Sequence, residues 1–107
     1  MKRGEIWTLQ DKNYASKARP VVIIQSDDHN SFDSVILCLF TTFESSDIDT
    51  RVLVKASAQN GLNRDSYVMT DKIVTVDKSI LGETIGQLSE SDMKAVSKQL
   101  KIILDLC

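Results

Sequence analysis

The run of residues 19–25, RPVVIIQ, is the feature that most constrains how this chain folds. It contains the only proline of the chain, Pro20, followed by four consecutive β-branched apolar residues. Such a run, bounded by polar residues, predicts a strand that is buried on both faces. Proline is tolerated at the first residue of a strand, where no ladder donor is lost. Arg19 is therefore expected at the mouth of a core strand, where a cation on a rigid backbone makes a good anion receptor.

Other segments predict further short strands. Residues 34–40 form a second continuous apolar run, and residues 51–55 alternate between charged and apolar side chains. Both patterns are typical of strands, buried in the first case and half-exposed in the second. Asn60 and Gly61 form a turn signal between strands. Strands are also predicted at residues 4–9, at 66–76 as one strand or two, and at 83–88.

The C-terminal residues 90–105 predict a helix. Ser89 is a good N-cap, and a short helical turn is also predicted near residues 26–31. The apolar positions follow helical spacing on one face: Met93, Val96, Leu100, Ile103 and Leu104. Short strands closed by one helix predict a mainly-β fold, a small antiparallel barrel with a C-terminal helix.

Size and composition limit the classes of protein that fit. The 107 residues are 42% hydrophobic and 26% charged, which is typical of a single globular domain over residues 1–107. No apolar run approaches the roughly 20 residues of a membrane span, and no signal-peptide pattern opens the chain. Cys38 and Cys107 do not make a disulfide framework, so a cytoplasmic location is expected. The net charge of −2 argues against a general nucleic-acid coat protein.

Few residue types suited to catalysis are present. His29 is the single histidine, which excludes a histidine-based metal site or a two-histidine acid–base pair. Cys38 lies within an apolar run and is expected in the core, and no cofactor is expected. What remains are polar residues at strand ends: Arg19 begins one core strand, and Thr41 and Thr42 end the next. A guanidinium and a hydroxyl at one rim are suited to holding one phosphate. The alternative is that Arg19 pairs with Asp71 for structural reasons, and spacing alone favours that alternative.

Several pieces of the sequence together carry a family resemblance. They are KRGEIW at 2–7, ARPVVIIQSD at 18–27, CLFTT at 38–42, NGL at 60–62, SYVMTDKI at 66–73 and IGQL at 85–88. With these pieces in this order, the chain resembles the MazF/PemK family of toxin ribonucleases from bacterial toxin–antitoxin pairs. The match covers nearly the whole chain.

The resemblance implies an SH3-like barrel, a homodimer, a cognate antitoxin and sequence-selective cleavage of single-stranded RNA without a metal ion. In the family the RNA 2′-hydroxyl attacks the adjacent phosphate, which leaves a 2′,3′-cyclic phosphate and a 5′-hydroxyl. The resemblance assigns the catalytic roles to Arg19 and Thr41. The residues expected to bind RNA are Tyr14, Lys17, Thr42, Arg51 and Asp71.

Two departures from the family pattern concern the loop before Arg19 and position 69. Many members carry Gly-x-Glu-Gln in that loop; here Tyr14 falls near the usual glutamate, and Met69 stands where some members have arginine. Lys17 is suited to supplying the missing charge and Tyr14 to stacking on a base, and the alternative is an ordinary mobile loop. The general base and acid therefore stay unassigned. A basic patch is expected from Lys12, Lys17, Arg19, Arg51 and Lys72.

Two other functions stay open from the sequence. One is a non-enzymatic toxin of the same fold, similar to gyrase-poisoning toxins, which acts by protein contact through the end of the C-terminal helix. The other is a degenerate family member that folds and binds its antitoxin without cleaving RNA.

Overall fold

The computed structural model describes residues 1–10, 18–44 and 47–107. Within them lie six strands, one α-helix and two short 3-10 turns. The strands are β1 Glu5–Leu9, β2 Arg19–Ile23, β3 Ser34–Thr41, β4 Val52–Val54, β5 Ser66–Asp77 and β6 Leu81–Gln87; the helix is α1 Glu90–Ile103, and the 3-10 turns are Asp27–His29 and Lys78–Ile80. No helix in the described part of the chain is long and apolar enough to cross a membrane.

The six strands form one antiparallel sheet in the order β4-β5-β3-β2-β1-β6. Strand β2 lies between β1 and β3, and its residues Val21, Val22 and Ile23 are at most 1% exposed. The predicted core strand and the mainly-β fold with a C-terminal helix are therefore confirmed. The sheet is not closed into a complete barrel, because no ladder among the described residues joins β4 to β6.

A turn, and not a strand, bridges the two open edges of the sheet. The backbone N–H of Gln87 in β6 donates to the carbonyl of Gln59 at 3.0 Å. A Cβ atom on Gly86 would lie only 2.4 Å from that carbonyl oxygen, so the approach of the two backbones requires glycine there. The segment after β4 is thereby held against β6, and this contact positions one side of the cleft described below.

The sheet carries an apolar cluster on each face. Neighbouring residues of β2 contribute to opposite clusters, as the alternation of side chains along a strand requires. Val22 packs in the cluster that also contains Val96 and Leu100 of α1. Val21 packs with Leu9 and other residues in the second cluster, to which the helix contributes nothing. The mouth of β2 is therefore supported from both faces.

Strand β5 runs without a break from Ser66 to Asp77, but a bulge interrupts its pairing with β3. Cys38 of β3 pairs with Ile73, whereas the next residue, Leu39, pairs with Met69, so residues 70–72 are extra on the β5 side. A bulge of this kind bends the strand and redirects its side chains. It explains why the sequence reads as one strand or two, and it brings Asp71 to the position discussed below.

Helix α1 begins where the sequence predicts, but its last turn does not pack against the sheet. The Ser89 hydroxyl accepts a hydrogen bond from the Asp92 backbone N–H at 3.1 Å, which confirms the N-cap. Leu100 is buried, but Ile103 and Leu104 are 42% and 50% exposed. The prediction of an apolar face that packs as far as Leu104 is wrong for this reason: the last turn projects beyond the cluster that the helix covers.

Candidate active site

Arg19 is the first residue of β2 and lies at the mouth of the strand. It pairs with Leu9 of β1, which is 1% exposed, while Arg19 itself is exposed. Its backbone is thus held by a core ladder and by the fixed φ of Pro20. A guanidinium presented in this way loses little conformational entropy when it binds an anion.

The ends of β2 and β3 meet at the same rim. Val21 pairs with Leu39, and continuing this antiparallel register by two residues brings Arg19 level with Thr41. Directly opposed residues in such a pair have Cβ atoms about 5 Å apart. The Thr41 oxygen accepts a hydrogen bond from the backbone N–H of Phe43 at 3.2 Å. This bond occupies a lone pair and leaves the hydroxyl proton of Thr41 available to an anion.

A cleft of about 620 Å³ opens beside Arg19. Its lining combines two cations with hydroxyl and amide groups. The polar members are Thr8, Arg19, Thr42, Asn63, Arg64 and Ser66. The sequence predicted Arg19 and Thr42 as site residues and did not identify Asn63 or Arg64. The signal for those two was their position directly after the predicted turn at Asn60 and Gly61.

The turn at residues 57–62 is tightly fixed, which confirms the turn signal. The side-chain oxygen of Asn60 accepts hydrogen bonds from the backbone N–H groups of Ser57 and Leu62, both at 3.0 Å, and Asn60 is 3% exposed. Gly61 has φ +69°, and a Cβ atom there would lie 2.0 Å from the carbonyl oxygen of Ile85. The side of the cleft that contains Arg64 is therefore built on a rigid turn.

Arg51 and Asp71 bind each other. Two hydrogen bonds join them, from Arg51 Nε to Asp71 Oδ1 at 3.0 Å and from Arg51 Nη2 to Asp71 Oδ2 at 3.2 Å. The hydrogen bond from Arg51 is the main reason why the pKa of Asp71 is lowered. The structural alternative in which Arg19 pairs with Asp71 is thus wrong, since Asp71 pairs with Arg51. Roles of Arg51 and Asp71 toward RNA stay predictions.

The remaining predicted residues are distributed as follows. Tyr14, Lys17 and Lys12 lie outside the described residues. Cys38 is fully buried, and burial, with a smaller contribution from the charge of Asp71, raises the pKa of its thiol to about 12. It is therefore a core thiol at neutral pH. Across residues 1–10, 18–44 and 47–107, no three His, Cys, Asp or Glu side chains come together as a group able to hold a metal ion.

Fold and site together define a class: a small antiparallel β protein in which an interior strand of the sheet begins with an exposed arginine, in a cleft that hydroxyl and amide residues also line. Comparison with known proteins identifies the family. Residues 2–104 match the family described as PemK-like, MazF-like toxin of type II toxin-antitoxin system. The chain belongs to this family.

Similar proteins agree with this assignment over the whole chain. A probable endoribonuclease MazF from Mycolicibacterium smegmatis is 35% identical over 107 residues, which cover 99% of this chain and 98% of that protein. A structure described as an endoribonuclease in complex with its cognate antitoxin, from a mycobacterial species, superposes with a TM-score of 0.85 at 26% identity, covering 100% of this chain and 97% of that one. Mycobacterium tuberculosis toxin MazF-mt6 superposes with a TM-score of 0.80 at 31% identity, covering 96% and 98%.

Proposed function

We propose that this chain is the endoribonuclease toxin of a type II toxin–antitoxin pair and that it cleaves single-stranded RNA in an active site that contains Arg19. The observation that carries the proposal is the exposed side chain of Arg19 on a backbone held by the β1 ladder, in a cleft that Thr42 also lines. Family membership and the endoribonuclease relatives support the same activity.

The chemistry follows from what these groups do to a phosphodiester. The 2′-oxygen attacks the adjacent phosphorus and loses its proton, the bond from phosphorus to the 5′-oxygen breaks, and the leaving oxygen takes up a proton. The products are a 2′,3′-cyclic phosphate and a 5′-hydroxyl, and no metal ion takes part. Negative charge grows on the non-bridging oxygens during attack, so Arg19 binds the transition state more strongly than the substrate. Thr41 donates to the same phosphate and favours in-line geometry.

Recognition of the RNA extends beyond the reacting phosphate. Thr42 lines the cleft with Arg19, and in this proposal it contacts the RNA there. Tyr14, Lys17, Arg51 and Asp71 are the other residues that we expect to take part in binding. The segments at residues 10–18 and 43–50 give the enzyme its sequence selectivity, because loops beside a rigid reaction centre commonly carry specificity.

The protein partners follow from the family. A mycobacterial relative was solved with its cognate antitoxin, and we propose that an antitoxin neutralises this chain as well. A homodimer is expected from the same resemblance. The exposed apolar end of the chain supports a protein contact, since Ile102, Leu104 and Leu106 are 56%, 50% and 60% exposed.

The test is cleavage of long single-stranded RNA of varied sequence by the purified protein in EDTA. We expect fragments whose 5′ ends accept phosphate from a polynucleotide kinase without prior phosphatase treatment. Arg19→Ala should abolish cleavage, whereas Lys98→Gln, which removes a charge on the exposed surface of α1, should not. RNA that stays intact across many sequences would contradict the activity and favour a degenerate member.

A second candidate is a toxin that acts by protein contact alone, favoured by the same exposed apolar end of α1. A groove of about 800 Å³ beside it is lined by Phe32, Ile36 and Leu104, among others. Toxicity in cells that survives Arg19→Ala but is lost with Leu104→Ser would support this candidate over the ribonuclease.

A further inference from the structure

Arg64 is a second cation in the cleft that contains Arg19. Both residues line it, and they come from different elements: Arg19 from β2, and Arg64 from the connection between β4 and β5. Arg64 is exposed. The ion pairs found within the described residues are Arg51–Asp71 and Lys94–Glu90. Neither involves Arg64, so no carboxylate of that part of the chain is paired with it.

The backbone on both sides of Arg64 is fixed. The carboxylate of Asp65 accepts a hydrogen bond from the Ala56 backbone N–H at 2.8 Å, and the Ser66 hydroxyl donates to the Arg64 carbonyl at 2.9 Å. The neighbouring carboxylate is thus directed to the backbone and not to the guanidinium. Since Gly61 also fixes the preceding turn, Arg64 is presented from a rigid support, as Arg19 is.

The charge distribution points to the same role. The chain has a net charge of −2, so a groove for RNA has to be locally basic. The guanidinium of Arg51, one of the cations predicted for that groove, is held by Asp71. Arg64 provides positive charge in the cleft itself.

We propose that Arg64 binds an RNA backbone phosphate next to the one held at Arg19. The inference rests on the proposed function, and it makes Arg64 a binding residue that orients the strand and not part of the bond-breaking chemistry. The two arginines are therefore expected to affect different kinetic constants. Removing Arg64 weakens RNA binding and raises KM, whereas removing Arg19 lowers kcat.

The test measures how RNA affinity depends on salt. The probe is a short, fluorescein-labelled, mixed-sequence RNA in which every 2′-hydroxyl is methylated, so that it binds without being cleaved. Fluorescence anisotropy is recorded from about 50 to about 300 mM KCl. The slope of log K against log salt is negative, and one lost phosphate contact makes it shallower by about 0.7. The same loss weakens binding about fivefold at about 0.1 M salt. We expect Arg64→Gln to show both changes and Arg64→Lys to retain most of the slope.

Matched variants separate a phosphate contact from other effects. Lys98→Gln makes the same charge change on the exposed surface of α1 and should leave the slope unchanged. Arg64→Glu should make the slope still shallower than Arg64→Gln does, while keeping the wild-type Tm. A wild-type slope for Arg64→Gln, or an equal change for Lys98→Gln, would overturn the inference. If the wild-type protein cleaves long RNA but Arg64→Gln changes nothing, only this inference fails; if binding depends on Arg64 but no RNA is cleaved, only the ribonuclease proposal fails.

Discussion

Replacing Asp71 by asparagine tests whether the ion pair at the β5 bulge stabilises the fold. The substitution removes the charge and nearly preserves the shape of the side chain. The pair is bidentate, with separations of 3.0 and 3.2 Å, and the side chains of Arg51 and Asp71 are 12% and 19% exposed. The amide of asparagine offers one acceptor oxygen where the carboxylate offered two, and Arg51 is left largely buried without a counter-charge.

The expected cost lies between that of a surface pair and that of a buried pair. Exposed pairs contribute about 0.2–1 kcal/mol, and breaking a fully buried pair costs about 3–5 kcal/mol. Hydrogen bonds to charged groups contribute about 1.5–3 kcal/mol. With both side chains more than four-fifths buried, we expect Asp71→Asn to lower the free energy of unfolding by about 2 kcal/mol. For a domain of this size, that corresponds to a fall in Tm of roughly 10 °C.

The assay is urea and thermal unfolding at one fixed protein concentration, combined with a double-mutant cycle. Arg51→Gln combined with Asp71→Asn should cost at least about 1 kcal/mol less than the sum of the single changes. Glu90→Gln is the matched control, because its pair with Lys94 spans 3.6 Å and both side chains are at least 78% exposed. It should lower the free energy of unfolding by less than about 1 kcal/mol. Additive single effects, or a cost of Asp71→Asn no larger than that of Glu90→Gln, would refute the reasoning.

Acid provides an independent check on the same pair. The pKa of Asp71 is lowered in the folded protein, chiefly by the hydrogen bond from Arg51. A group of this kind contributes stability above its unfolded pKa of about 3.9 and loses it as the pH falls through the lower folded pKa. The stability gap between wild type and Asp71→Asn should therefore be constant from about pH 7 to pH 5 and narrow below about pH 4.

Two further predictions concern the packing around the sheet. Gly86→Ala places a Cβ 2.4–2.6 Å from backbone atoms of the neighbouring turn, whereas the nearest atom for Gly82→Ala is a threonine hydroxyl at 2.6 Å. We expect the first to lower Tm far more than the second in thermal unfolding, since backbone yields less than a side chain; equal losses would contradict this. Native protein should react with a thiol reagent at Cys107 alone, and at Cys38 as well only after denaturation, because Cys38 is buried with a pKa of about 12. Two reactive thiols in the native state would contradict it.

The sequence predicted the elements that short local patterns specify, namely two core strands and the start of the helix. The continuous apolar runs at residues 20–25 and 34–40 overlap most of β2 and β3, because strands inside a sheet are mainly apolar. Ser89 marked the start of α1 for an equally local reason, its hydrogen bond to the first turn. The exposed position of Ile103 did not follow from spacing, because periodicity shows which face is apolar and not where the partner surface ends.

The site was less predictable because it depends on pairings between distant residues. The sequence suggested that Arg19 and the end of β3 lie at one rim once neighbouring strands were taken as antiparallel, and β2 and β3 do pair antiparallel. The pair of Arg51 with Asp71 joins residues 20 positions apart through a bulge that no sequence pattern marks. Arg64 follows the predicted turn at Asn60 and Gly61, but the sequence does not show which strand that turn lies against, so only the folded chain brings Arg64 beside Arg19.

The place of β2 inside the sheet has an evolutionary consequence. The ladder to β1 pairs Arg19 itself, and the ladder to β3 holds the next part of the same strand, from Val21 to Ile23. In the described structure these two ladders pair residues 6–9, 19–23 and 37–39. Substitutions outside these pairs leave the register of Arg19 unaltered. Under the proposed function, a lineage with this architecture is free to diverge in the RNA sequences it attacks while the position of Arg19 stays under separate and stricter selection.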